Sequence, residues 1–340
     1  MRYRAKPWAI GSLVLIGVVT LTSGAVYARN PASGAQTSMT REHGSGVKSA
    51  AKNAVVPDST VYPLTRIDQA GHKVIIRKRP VHIASTTEGT DEILAALVPK
   101  REVAMVTSYA SQPGYSNVVR WAKGIPALQT ANAEAVIAVH PDLVLAASYT
   151  TAGVVRQIEQ TGIPVYEFTD FNSIPGIEKN IRTVGELVDR TRKANQIVSR
   201  MNRMLRSIKN AVKSEKKMTV LDYSSYGYVA GNSTTVNDVI VDAGGINAAA
   251  AVHGWQEVTP EEIVKMNPQV IIDANTDRGF LKRMMHNPKL QTVSAVKHHR
   301  VYLVNGADLS SVSEYVVNGV RDVAHVLYPS LRFPQRMRPQ

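Results

Sequence analysis

The residues best suited to chemistry in this 340-residue chain are aromatic, and they fall in loops. Thirteen tyrosines stand against four phenylalanines and three tryptophans, so the aromatic content is weighted towards side chains with a hydroxyl. Tyr109, Tyr115, Tyr149, Tyr226, Tyr228 and Trp255 all lie in segments that follow apolar strand-like runs. An aromatic face packs against flat conjugated molecules, and a phenol adds an orienting hydrogen bond. Thr86 and Thr87 offer hydroxyls in the same kind of segment, and Arg278 offers a cation to an anionic ligand. Each tyrosine could equally be packing its own lobe, since half-buried tyrosine is common. His253 is a lone loop histidine, a type that is more often polar surface than a metal ligand.

Other chemistries are excluded by what is missing. There is no cysteine, which rules out structural disulfides, thiol nucleophiles, thiolate metal sites and lipid attachment at a cysteine. No GxSxG, HExxH, GxxxxGK or GxGxxG motif occurs. Asp273, Asn275 and Asp277 have the opening spacing of a calcium loop. Arg278 stands where that loop needs glycine and Met284 where it needs glutamate, so a calcium site is rejected. The expectation is a protein that is not an enzyme and carries no cofactor or metal of its own.

The elements that must position these loops read as α/β. Lys73–Ile76, His82–Ala84, Glu102–Val106, Leu143–Ala147 and Val165–Phe168 read as strands, with helices over Thr90–Leu97, Val118–Ala122, Ala133–Val139 and Val154–Gln160. The unbroken apolar run Leu143–Ala147 suits a parallel sheet covered on both faces. From Thr191, taken as the cap, apolar residues recur at three- and four-residue spacing from Ala194 to Val212, predicting one long helix over 191–215. A second α/β run follows to about residue 330. AVIAVHPDLVL (135–145) and IVKMNPQVII (263–272) read as two copies of one helix–proline–strand unit.

The N-terminus is organised differently. Arg2, Arg4 and Lys6, the apolar run Trp8–Leu21 and the small-residue site Val26-Tyr27-Ala28 have the form of an export signal over 1–28, cleaved after Ala28 or kept as an anchor. Residues 29–60 are rich in Ala, Ser, Gly and Thr and read as a flexible spacer. The divisions that follow are a first lobe over 61–190, the helix 191–215, a second lobe over 216–330 and a tail over 331–340. The formal charge is +13, or about +10 once the three cations of the signal are removed. A basic surface suits anionic ligands, wall polymers or membranes; no basic helix interleaved with aromatics speaks for nucleic acid.

Five segments in order then carry a resemblance: IASTTEGTDEILAAL (83–97), NAEAVIAVHPDLVL (132–145), VAGNSTTVNDVIVDAGGINA (229–248), VTPEEIVKMNPQVII (258–272) and LQTVSAVKHHRVYLV (290–304). From about Leu64 to Pro329 the chain resembles the class III periplasmic solute-binding proteins, which bind ferric siderophores, haem or cobalamin for ABC importers. The resemblance implies two Rossmann-like α/β lobes joined by one long rigid helix, with the ligand cleft between them. It implies that loops bearing Thr86, Thr87, Tyr109, Tyr115, Tyr149, Tyr226, Tyr228, Trp255 and Arg278 line that cleft. It also implies that Glu92 and Glu261, one on top of each lobe, pair with arginines of the permease; Glu88 and Glu262 are neighbouring candidates. Thr87–Thr90 departs from the family's proline- and serine-containing turn.

The function implied is an exported receptor, periplasmic or on the outer face of the cell, that captures a ferric siderophore or related iron chelate and delivers it to a permease. Cobalamin or haem is the alternative ligand. The protein is expected to be monomeric, to bind no nucleic acid, and to meet the membrane through the importer or an uncleaved N-terminus. Two other classes remain. A chelatase-like or nitrogenase-like catalyst shares the lobed architecture but needs cysteine or several histidines. A cell-envelope sensor or adhesion module would use the basic surface.

Overall fold

The computed structural model describes residues 59–130, 132–277 and 279–339, which fall in one compact unit. The signal, most of the spacer and Arg278 lie outside the described residues. An antiparallel ribbon of β1 (Leu64–Ile67) and β2 (Lys73–Ile76) opens the fold. The first lobe runs β3 (Ile83–Ser85), α1 (Glu88–Leu97), β4 (Val103–Thr107), α2 (Val119–Ala122), β5 (Ala127–Leu128), α3 (Ala133–Ala138), β6 (Leu143–Ala147), α4 (Ala152–Glu159), β7 (Val165–Phe168) and α5 (Ile174–Leu187). Then comes the long α6 (Thr191–Val212). The second lobe runs β8 (Thr219–Asp222), β9 (Tyr228–Ala230), α7 (Thr235–Asp242), β10 (Ile246–Asn247), β11 (Trp255–Glu257), α8 (Pro260–Met266), β12 (Val270–Ala274), α9 (Phe280–His286), α10 (Ser294–Lys297), β13 (Val301–Val304), α11 (Gly306–Leu309) and α12 (Val316–Leu327).

The first sheet has the parallel order β5-β4-β3-β6-β7 and the second β10-β8-β12-β13. In each, the order reverses between its first strand and a later one, β3 beside β6 and β8 beside β12. Every residue of β4 and β6 is buried, as the apolar runs require of strands covered on both faces. The expected helix–proline–strand echo is present as α3–β6 and α8–β12. In both copies the residue before the proline is left-handed, His140 at φ 46° and Asn267 at φ 44°, so each helix ends at the same backbone reversal.

Local signals set most boundaries. Thr87, Asn132, Ser173 and Thr259 cap α1, α3, α5 and α8 by accepting from a backbone N–H three residues on. The long helix departs from expectation at both ends. Its cap position is Arg190, with no side-chain cap, and it stops at Val212 rather than 215. Its 22 residues span about 33 Å. The antiparallel ribbon β9–β11 was not expected, because its two strands have three residues each and pair across 24 intervening residues.

One apolar cluster runs through α1 and α5 of the first lobe, the buried face of α6, and α7 and α12 of the second. Separate clusters cover the other face of each sheet. The lobes therefore share a core along α6. Met201, fully buried at the middle of α6, tests this. Met201→Ala should cost about 2–5 kcal/mol and lower the urea midpoint in a single transition. Two separated transitions in the parent protein would contradict a shared core.

Candidate functional site

In open parallel sheets, ligands bind outside the carboxyl ends of the strands where the strand order reverses. In the first lobe that point lies between β3 and β6. The residues leaving those strands are Thr86 to Glu88 and Ser148 to Thr150. Tyr149 is 50 % exposed, yet burial dominates its surroundings and pushes its hydroxyl up to about 12, with Glu88 and Asp91 adding to the rise. Glu88 has the same character: it is partly accessible, but desolvation first, then Glu92 and Asp91, hold its carboxyl well above the usual range. Its Oε1 has no partner among the described residues.

Tyr109 and Tyr115 form a tilted pair, centroids 6.0 Å apart, on the loop after β4. Tyr149 meets Phe171 at 6.4 Å. In the second lobe Tyr226 is 51 % exposed at the turn between β8 and β9. Tyr228 begins β9, and Trp255 lies opposite Ala230 in the β9–β11 ribbon. The loops 85–88, 108–117, 148–151, 223–228, 253–255 and 275–277 contain no lysine or arginine.

Two expected contacts turn inward. Thr86 Oγ1 donates to Leu145 O at 3.2 Å. Thr87 is only 1 % exposed and caps α1, its Oγ1 accepting from Thr90 N. Both are committed to the strand-to-helix turn and shape the rim rather than reach beyond it. His253 bonds through Nδ1 to Asn232 Oδ1 at 3.0 Å. Among the described residues no group of three His, Asp or Glu could hold a metal ion.

Glu92 requires correction. It was expected on the outer top of the first lobe, but it is fully buried between the lobes. Its Oε1 accepts from Asn117 N at 2.7 Å, and its Oε2 from Ser311 Oγ at 2.9 Å and Ser313 Oγ at 2.6 Å. Burial raises its pKa and these three donors oppose the rise. The expectation failed because Glu92 lies one helical turn inside α1, on the face packed against the C-terminal segment. Glu261 is exposed in the first turn of α8. A backbone N–H and Lys289, 3.2 Å away, hold its carboxyl below the usual value. Its neighbour Glu262 is taken by a capping box with Thr259.

The region around Glu92 is rich in acids. Burial pushes Asp91 up to about 8, although Thr107 donates to it twice. Burial, with Glu92 adding, pushes Glu314 up to about 8. Asp91 Oδ1 and Glu314 Oε2 lack partners among the described residues. On the second sheet, burial pushes Asp222 up to about 7 and Asp273 up to about 8. Of these acids the sequence drew attention only to Asp273, in a calcium-loop spacing that was rejected, because buried and solvated carboxylates are written with the same letters.

The model of the family described as "Periplasmic binding protein" matches residues 83–306. The chain is a member of the periplasmic binding protein family. Among curated relatives of this periplasmic binding protein, an uncharacterized ABC transporter substrate-binding lipoprotein of Bacillus subtilis (strain 168), YvrC, is 31 % identical over 278 residues, 79 % of this chain and 87 % of that one. A cobalamin-binding protein of Halobacterium salinarum is 26 % identical over 228 residues, 65 % of this chain and 61 % of the relative. A solved structure of a possible iron-binding (periplasmic solute-binding) protein from Staphylococcus epidermidis aligns with TM-score 0.64 and 26 % identity, over 74 % of this chain and 100 % of that one.

Two outcomes follow from the buried acids. Glu92→Ala leaves two hydroxyls and a backbone N–H without their acceptor. Each orphaned group costs about 1–3 kcal/mol, so thermal unfolding should drop by several degrees or more; an unchanged melting temperature would refute the interlobe role. The second concerns pH. Asp91 and Glu314 are protonated in the fold up to about pH 8, whereas unfolded carboxyls ionise near pH 4. Stability from these groups is complete below about pH 4 and is lost as pH rises to about 8. Glu314→Gln should flatten that decline and raise stability at pH 8 by about 1–3 kcal/mol, read from melting curves at pH 5 and pH 8.

Proposed function

We propose that this substrate-binding protein captures a ferric siderophore or related iron chelate in the interlobe cleft and presents it to an importer permease from outside the cytoplasmic membrane. The observation that carries the reading is Tyr149, crowded yet half exposed at the strand-order reversal, with the Tyr109–Tyr115 pair on the neighbouring loop. Aromatic walls suit a large chelate with apolar surface better than a small polar solute. The Staphylococcus epidermidis relative, described as possibly iron-binding, supports the same ligand class. The Bacillus subtilis relative is a lipoprotein, an attachment this chain lacks a cysteine to make. Glu261 is the proposed permease contact on the second lobe. The protein works as a monomer at the periplasmic or outer cell face, and transports without turnover.

The charge of the cleft narrows the ligand. Its described loops hold no lysine or arginine, so a chelate bearing several negative charges finds no counter-charge there and its desolvation goes uncompensated. An uncharged ferric hydroxamate fits better than a ferric catecholate. A corrinoid, flat and edged with neutral amides that can donate to Glu88, is the second reading, and the cobalamin-binding relative supports it.

Trp255 and Trp121 give the measurement, as quenching of intrinsic fluorescence on titration with ferric hydroxamate, ferric catecholate, cobalamin and haem. The expected order places ferric hydroxamate or cobalamin at least tenfold tighter than ferric catecholate. Glu88→Gln should leave that order unchanged at neutral pH, since burial already keeps the Glu88 carboxyl protonated. Binding of none of the four, together with a hydrolytic or redox turnover, would overturn the reading.

A further inference from the structure

The charge of the folded unit is concentrated in one element. Residues 190–217 hold ten lysines and arginines and one acid, Glu215. The remainder of residues 59–340 holds 23 basic and 24 acidic residues, so it is nearly neutral. The single segment therefore supplies +9 of a net +8. Within it α6 has no Asp or Glu at all.

Packing decides where these charges point. Ala194, Ile197, Val198, Met201, Met204, Leu205, Ile208 and Val212 form the buried side of α6. The cations must occupy the opposite side, and Arg200, Arg203, Arg206 and Lys213 are all exposed. At 100° per residue these four fall within about 140° of one another. Lys209 is paired with Asp242 at 2.8 Å. Arg203, Arg206 and Lys213 make no ion pair with the described residues. Like charges three residues apart repel, and a solvated helix face ordinarily interleaves acids with bases. Apart from the pull of buried Glu314 on Arg200, this face has no acid of the helix to balance it.

We propose that the outer face of α6, carrying Arg200, Arg203, Arg206 and Lys213, docks on the anionic headgroups of a lipid bilayer. The inference is independent of which ligand the cleft holds. From Arg200 to Lys213 the row runs about 20 Å along the helix, so it meets a plane along its length, and a single helix face offers no groove to a polymer strand. It carries no aromatic side chain on which nucleobases could stack. Its apolar residues are all spent on the core, so the contact is electrostatic and leaves the fold undisturbed. Docking of this kind keeps the receptor near the membrane in which a permease sits and makes the search for it two-dimensional.

The full chain is sedimented with vesicles of phosphatidylglycerol and phosphatidylcholine, and with vesicles of phosphatidylcholine alone. Any binding by the apolar N-terminal segment is common to both. The excess on anionic vesicles is expected to disappear as salt is raised, because screening shortens the reach of exposed charges. Each cation at an anionic surface contributes roughly fivefold in affinity. The variant R200Q/R203Q/R206Q/K213Q should therefore lose more than about a hundredfold of the excess, with an unchanged melting temperature. The variant R77Q/K78Q/K297Q/R300Q, equal in net charge, should keep it. Equal loss in both variants would show that only net charge matters and would overturn the proposal. So would retention of the excess by the α6 variant, or preference for soluble polyphosphate over anionic vesicles.

Discussion

A buried carboxyl group ties the two halves of this protein together. Glu92 comes from the first helix and accepts from Ser311 and Ser313, more than two hundred residues later, and from the backbone of Asn117. A carboxyl taken out of water is tolerated only where donors replace its hydration, so the position of α1 and the position of the C-terminal segment determine each other. Asn117 extends the link by donating to Ala307 O at 3.0 Å. The turn that begins α1 then has little freedom, and that turn carries Glu88 to the edge of the strand-order reversal beside Tyr149.

The same constraint explains why acids accumulate there. Asp91, Glu88 and Glu314 stand close enough to Glu92 to raise one another, and solvent is largely excluded. Protonation relieves the repulsion. The seam between the lobes thus holds carboxylic acids near neutral pH, which makes interlobe stability respond to pH in a range where isolated carboxyls do not titrate. Along the back, α6 and the shared apolar cluster hold the lobes by a different means, burial of a continuous face. Polar contact at the seam and apolar contact along α6 thus join the same two lobes by different means.

Basic and acidic residues are segregated by the same fold. The acids with raised pKa values gather at the seam and at the carboxyl ends of β8 and β12. The excess cations lie on the outer side of α6. The seam therefore carries little charge while the outer face of α6 is strongly positive, and the basic character of the chain as a whole hides the difference.

Periodicity and turn chemistry were enough, from the sequence by itself, to place the α/β alternation, the long helix and the duplicated helix–proline–strand unit, because these depend on residues within one or two turns of each other. The family was legible in five segments for the same reason. Cap residues were readable where a hydroxyl or amide precedes a helix, as at Asn132 and Thr259, and misleading at Thr191, where the preceding turn sets the start instead. What only the tertiary structure decided is which side of an element faces what. Glu92 and Glu261 look alike in sequence, each an acid in an early helical turn. One is sealed against serines from the far end of the chain and the other is exposed beside Lys289, because burial is a property of distant neighbours that no local pattern encodes.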